Sequence, residues 1–189
     1  MIVFQTFEEL DAAGKDKIAG KIVCFNHPWK DYYNSYEYRV FGASRAAKYE
    51  AVAMLVRSVA SSSIYSVHAG TQRYDPAQPK IPAAAITVED AEMFQRMQER
   101  GQKIIVELSL ENQMVGNSYS NNLVFEIKGS DFPEQIILAG GHIDSWDTGS
   151  QTGANDDGGG FITVFEALRL LKENNLRPKR TLRFIAWSG

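Results

Sequence analysis

Residues 135–187 constrain the fold more than any other part of the chain. An apolar run from Gln135 to Ala139 predicts a buried strand, and residues 181–187 predict another. Between them, residues 161–174 place apolar side chains at helical spacing along one face. A strand, a long helix and a second strand over this length predict a βαβ unit, and therefore a parallel pair of strands inside an α/β sheet.

The first part of the chain also alternates between strand and helix patterns. Apolar runs predict strands at residues 1–5, 21–26, 51–57 and 81–87, and alternating polarity predicts a half-buried strand at 103–110. Helices are predicted after Thr6, at residues 39–50 and from 88 to 100. The polar and aromatic residues 28–37 are interpreted as a loop. The predicted fold class is therefore α/β throughout.

A polar stretch between Glu111 and Asn122, rich in Asn and Ser, separates these two regions and predicts a domain boundary. We place the boundary after residue 116, which gives units 1–116 and 117–189. A chain of 189 residues is long enough for one large domain, or for a small domain and part of another.

Charge and composition exclude several classes of function. The net charge is −3 and no basic block occurs, which argues against a nucleic-acid partner. No apolar run approaches the ~20 residues that span a bilayer, and the first residues lack a signal-peptide pattern. Cys24 is the single cysteine, so neither an internal disulfide nor a cysteine-based zinc site is available. Its apolar neighbours predict a buried core thiol.

Candidate metal-binding side chains follow the strand predicted at residues 135–139. His142 falls beyond the carboxyl end of that strand, the edge at which open α/β sheets bind ligands. Asp144 lies two residues on, so it can reach the same side, accept a hydrogen bond from one ring nitrogen and leave the other free for a metal. Asp156 follows at the entry to the next helix, where the helix dipole favours a carboxylate. Its two oxygens can serve two metal ions at once.

Simpler interpretations exist for each of these residues taken alone. A His at a strand end is usually a hydrogen-bonded surface or core residue, and Asn-Asp-Asp-Gly is an ordinary turn or helix cap. Their order, after a buried strand and before an apolar helix, favours a metal site. Asp147 is interpreted as a loop residue, and His27 and His68 as non-ligands because neither has a carboxylate at ligand-like spacing.

The same residues resemble a known family. Residues 141–147, 155–160 and 177–183 are similar to the metal-binding region of the co-catalytic zinc exopeptidases related to glutamate carboxypeptidase II and bacterial aminopeptidases. The resemblance covers nearly the whole chain. It implies a protease-associated (PA) domain at 1–116, followed at 117–189 by the first part of a zinc-exopeptidase α/β sheet.

The resemblance also implies a role for each site residue. His142 would bind one zinc ion, Asp156 would bridge two zinc ions, and Asp144 would support His142. Asp157 would follow the bridging carboxylate through a strained peptide bond. The loop before Asp156 is slightly longer than in the family pattern, and the chain stops before the family's Glu-Glu pair, which supplies the general base and a zinc ligand.

The resemblance therefore implies a metallo-exopeptidase that is secreted or lysosomal, hydrolyses dipeptides or small peptides, and forms a homodimer. The 189 residues alone are expected to be inactive. One alternative is a non-catalytic receptor or binding homologue of the same architecture, against which the intact His142 and Asp156 count. Another is a PA-type interaction module alone, which the βαβ pattern after Asn122 contradicts.

Overall fold

The computed structural model describes residues 1–113, 115–146 and 151–189. The chain divides into two compact units, Met1–Asn112 and Gln113–Gly189. The division lies inside the polar stretch from which a boundary is predicted, a few residues before residue 116. The assignment of the first unit to a PA domain stays a prediction.

The first unit is a parallel sheet with three helices. Its four strands are neighbours in sequence order: β1 (Ile2–Phe4), β2 (Ile22–Phe25), β3 (Ala53–Arg57) and β4 (Ala83–Ile86). The helices that connect or follow them are α1 (Phe7–Ile18), α2 (Tyr32–Ala47) and α3 (Val88–Glu99). The sequence patterns predicted this alternation, and the α/β class is confirmed.

Side chains of this sheet pack into two apolar clusters, as expected for strands covered on both faces. Phe25 and Met54 belong to one cluster with residues of α1 and α2, whereas Cys24 and Leu55 belong to the other with Ile104. Successive residues of one strand therefore point to opposite faces of the sheet and belong to different clusters. Cys24 is fully buried, which confirms the predicted core thiol, and burial raises its pKa to about 12.

Two predictions for this unit are wrong. Helix α2 begins at Tyr32, inside the predicted loop, because the Asp31 side chain accepts a hydrogen bond from the Asn34 N–H at 2.8 Å and caps the helix. Residues 103–110 form no strand. Ile104, Val106 and Leu108 nevertheless pack against the sheet. The alternation of apolar and polar residues therefore indicated which side chains face the core, although this segment is not hydrogen-bonded to a strand.

The second unit contains a three-stranded sheet and one long helix. Its elements are β5 (Leu123–Ile127), β6 (Phe132–His142), a π-helical turn (Ala154–Gly158), α4 (Gly159–Glu173) and β7 (Arg180–Trp187). The strand order is β5-β7-β6, with β7 antiparallel to β5 and parallel to β6. The predicted βαβ unit is therefore confirmed as β6–α4–β7. The prediction that residues 135–139 form a buried strand is wrong, since Ile136, Ile137 and Leu138 are 46%, 51% and 54% exposed.

Aromatic side chains pack α4 against this sheet. Phe184 of β7 is fully buried, and its ring stacks on Phe125 of β5 at 5.7 Å and tilts against Phe161 of α4 at 5.4 Å. Because Phe161 lies in the first turn of α4, this contact brings the start of the helix to the sheet. Within the described ranges, no helix has the length and apolarity that crossing a membrane requires.

Candidate metal centre

Strand β6 ends at His142, the predicted metal ligand. His142 is its last residue and pairs in register with Trp187 of β7, and the following Ile143 N–H donates to the Trp187 carbonyl at 2.7 Å. Gly140 approaches β7 so closely that a Cβ there would collide with the Ile185 carbonyl and the Trp187 ring. The close pairing of the two strands thus holds the His142 backbone in place.

The structure brings His142 together with both predicted carboxylate residues. The ring Nδ1 lies 3.1 Å from the Asp144 carbonyl oxygen and 3.2 Å from its Oδ1. The ring Nε2 lies 2.9 Å from Asp156 Oδ1. The side chains remain accessible, since those of His142, Asp144 and Asp156 are 38%, 44% and 84% exposed. The predicted convergence at the end of the strand is therefore present.

This arrangement leaves His142 with only hydrogen-bond acceptors around its ring. Carbonyl and carboxylate oxygens only accept, and a neutral imidazole has one N–H, so the ring can donate to Asp144 or to Asp156 but not to both. In the neutral ring, the nitrogen without the proton would then point its lone pair at an acceptor oxygen. Only a second proton or a metal cation between these atoms relieves that repulsion. Accordingly, the hydrogen bond that the charged ring donates to Asp156 raises the pKa of His142, and the bond to the Asp144 backbone carbonyl adds to the effect.

Asp144 is itself held by the backbone. Its Oδ1 accepts a hydrogen bond from the Gly189 N–H at 2.9 Å, which lowers the pKa of the carboxyl group more than the nearby His142 does. The carboxylate therefore stays charged beside the ring. A charged group in this position increases the basicity of an imidazole ligand.

Asp157, which follows Asp156 through a cis peptide bond, has a different environment. A Cβ on Gly160 or on Gly141 would collide with its carboxylate oxygens, and one on Gly141 would also approach the Phe161 backbone nitrogen. Asp157 therefore lies against the first turn of α4, where unpaired N–H groups favour a negative charge. The sequence does not predict that Gly141 and Gly160 make room for the Asp157 carboxylate, because this contact depends on the path of the chain through the π-helical turn.

Gly160→Ala is expected to destabilise the protein by about 1–3 kcal/mol, the usual cost of forcing an extra methyl group into a packed site. Its Cβ would collide with the Asp157 carboxylate. Gly159→Ala is the matched control, because a Cβ there meets only the Ala154 carbonyl at 3.8 Å. Urea unfolding of both variants measures the difference, and equal midpoints would show that the Asp157 carboxylate moves away at no cost.

Three further residues were considered in the sequence: Asp147, His27 and His68. Asp147 lies outside the described residues. The His27 Nδ1 contacts the Gln5 carbonyl at 3.0 Å and its ring stacks on Tyr38, while the His68 Nδ1 contacts the Val59 carbonyl at 2.7 Å. Both rings thus belong to the packing of the first unit. In the part of the chain that the structure describes, no group of three or more His, Cys, Asp or Glu residues is arranged to hold a metal ion.

The chain is similar to known proteins along its whole length. Residues 122–189 match peptidase family M28. Across all 189 residues the chain is 50% identical to carboxypeptidase Q of Bos taurus and 49% identical to carboxypeptidase Q of Homo sapiens. The similarity to carboxypeptidase Q therefore extends over the whole chain, and the similarity to peptidase family M28 covers residues 122–189. The chain spans 39% of the length of either of these relatives.

Solved structures show the same fold. A peptidase M28 precursor from Shewanella amazonensis superimposes on the whole chain with a TM-score of 0.91 at 31% identity, and the chain covers 44% of that protein. A zinc aminopeptidase from Bacillus subtilis superimposes with a TM-score of 0.59 at 21% identity, with 40% of that protein covered. The second comparison supports the fold alone.

Proposed function

We propose that the protein containing this chain is a zinc metallo-exopeptidase, and that His142 and Asp156 are two of its metal ligands. The observation that carries the proposal is the close approach of two potential ligand atoms, His142 Nε2 and Asp156 Oδ1, which lie 2.9 Å apart at the carboxyl end of β6. Imidazole and carboxylate are both zinc ligands. The repulsion between two such atoms is relieved when a cation lies between them.

The spacing of the two atoms is close to that of a zinc site. Two ligands of a tetrahedral zinc ion, each about 2.0–2.2 Å from the metal, lie roughly 3.3–3.5 Å apart. The observed distance of 2.9 Å is slightly shorter. A small outward turn of Asp156 makes up the difference, since its side chain is 84% exposed and free to move. The residues present therefore fit zinc as part of a ligand set.

Each residue of this chain has a distinct task in the proposed site. His142 binds one ion through Nε2, while Asp144 holds Nδ1 and keeps the ring in the required tautomer. Asp156, with two carboxylate oxygens, would help to hold both ions of a zinc pair. When bound, the zinc pair supplies Lewis acidity, lowering the pKa of a water molecule and polarising the scissile carbonyl.

The family resemblance seen in the sequence supports a proposal for the substrate and the setting. We propose dipeptides or small peptides as substrates, a secreted or lysosomal location and a homodimeric protein, with residues 1–116 as the PA domain. The net charge of −3 provides no basis for a nucleic-acid partner. These statements concern the longer protein, because the chain spans only part of its relatives.

Cobalt(II), a paramagnetic substitute for zinc, tests the ligand assignment in the chain itself. The chain has three histidines, so their ring C–H resonances can be followed separately by NMR. We expect His142 to broaden at the lowest cobalt concentration, with His27 and His68 unaffected. Asp156→Ala should raise the cobalt needed at least about tenfold, since losing even an outer-shell partner costs ~10–100-fold.

Asp131→Ala is the control for this experiment. Asp131 is an exposed aspartate of the same unit that lies just before β6, at the opposite end of the strand from His142. Its replacement should leave the cobalt titration unchanged. Equal broadening of all three histidines, or an unchanged titration with Asp156→Ala, would refute the assignment.

A further inference from the structure

A groove in the first unit has the features of a second binding site, unrelated to the proposed metal centre. One wall is α2 and the other is the segment at residues 69–73. Two hydrogen bonds hold this segment against the helix. The Arg73 N–H donates to the Val40 carbonyl at 2.9 Å, and the Arg39 Nη1 donates to the Ala69 carbonyl at 2.9 Å. The groove is lined by Tyr32, Tyr33, Tyr36, Arg39, Thr71 and Arg73, with Val40 and Phe41.

Arg39 forms the floor of this groove. The residue is only 8% exposed, and among the described residues it makes no ion pair with a carboxylate. Two of its nitrogens donate to neutral oxygens, the Ala69 carbonyl and the Tyr32 hydroxyl, and its buried Nε has no partner. A buried charge without a counterion is costly, so an anion in the groove would stabilise it. Gly70 makes room for this guanidinium, since a Cβ there would collide with it.

Tyrosine rings form the rim. Tyr32, Tyr36 and Arg39 recur at i, i+4 and i+7 and so share one face of α2, with the two rings stacked at 6.0 Å. Tyr33 is 79% exposed and meets Tyr32 edge to face. Arg73 is exposed, and no hydrogen bond or ion pair of its side chain occurs among the described residues. Tyrosine and arginine are the side chains that dominate binding energy at protein interfaces.

We propose that this groove binds an extended peptide segment that carries acidic side chains. A carboxylate would lie near Arg39 and Arg73, supplying the missing countercharge, and neighbouring residues of the peptide would pack on the three tyrosine rings. The net negative charge of the chain and the presence of only two arginines in the groove disfavour a polyphosphate or a nucleic acid. An open groove with an aromatic rim and a cationic floor suits a peptide better than a compact anion.

A matched pair of fluorescein-labelled peptides tests the proposal on the whole chain. One peptide alternates glutamate with tyrosine and glycine, and the other has glutamine at every glutamate. Fluorescence polarisation should show saturable binding of the glutamate peptide, weakened by added salt, and little binding of the glutamine peptide. Arg73→Gln and Tyr33→Ala, both at exposed positions, should each weaken binding roughly three- to tenfold.

Arg100→Gln is the control for the loss of charge. The side chain of Arg100 bonds only to Gln102 and lies outside the groove, so this variant should bind like the original. Gly70→Ala, which displaces the Arg39 guanidinium, should weaken binding as much as Arg73→Gln. Equal binding of the two peptides, or undiminished binding by all three groove variants, would overturn the proposal. So would self-association of the chain that Arg73→Gln abolishes in sedimentation, because the occupant would then be a second copy.

Discussion

Replacing Asp156 by alanine in the longer protein that contains this chain is expected to abolish zinc-dependent peptide hydrolysis. Under the proposed function, this one carboxylate gives an oxygen to each of two ions. Alanine therefore removes a ligand from both. Within the described ranges, no three acidic, His or Cys side chains are grouped to substitute for it. Dipeptide hydrolysis, measured with added zinc and then with a chelator, provides the test.

Two other substitutions provide the comparison for Asp156→Ala. Asp144→Asn keeps the shape of the side chain and an oxygen that can accept a hydrogen bond from His142 Nδ1, but removes the charge beside the ring. It should cost roughly 10–100-fold in activity or metal affinity, as is usual for such supporting residues. Asp131→Asn, an exposed aspartate before β6, should have no effect. Unaltered turnover by Asp156→Ala, with the melting temperature preserved, would exclude Asp156 as the bridging ligand.

The periodicity of apolar residues was sufficient to predict most of the fold. It predicted the β6–α4–β7 unit, because a strand period and a helix period follow each other within a short length. It was insufficient where one contact decides the structure. The Asp31 side chain moves the start of α2 to Tyr32, and residues 103–110 lack a partner strand although they bury alternate side chains. Such outcomes depend on particular hydrogen bonds and not on the pattern.

The candidate site was predictable to a similar extent. The spacing of His142 and Asp144 fixes a common side of an extended chain, and this part of the geometry follows from backbone periodicity. The sequence did not predict that the Asp144 carbonyl, as well as its carboxylate, would lie within hydrogen-bond distance of His142 Nδ1. Nor did it predict that Asp157 would lie between Gly141 and Gly160. Both features arise where the chain turns away from regular structure, and periodicity carries no information there.

The 189-residue chain by itself is expected to hydrolyse no dipeptide, whereas the longer protein is expected to do so in a zinc-dependent way. A catalytic zinc ion uses three protein ligands, an open position for water and a base within hydrogen-bond reach of that water. The proposed site draws only on His142 and Asp156 from this chain, so each of two ions would be under-coordinated. Zinc binding should therefore be weak and rapidly reversed by a chelator.

The measurement compares the chain and the longer protein on one panel of dipeptides, each with added zinc and then with a chelator. Turnover by the 189-residue chain that a chelator stops would contradict the expectation, since a complete site would then exist within these residues. A longer protein that binds zinc but is inert on the whole panel would contradict the proposed activity and favour a receptor or binding protein of the same architecture. The cobalt titration separates these outcomes, because it reports ligation by His142 and Asp156 whether or not any peptide is cleaved.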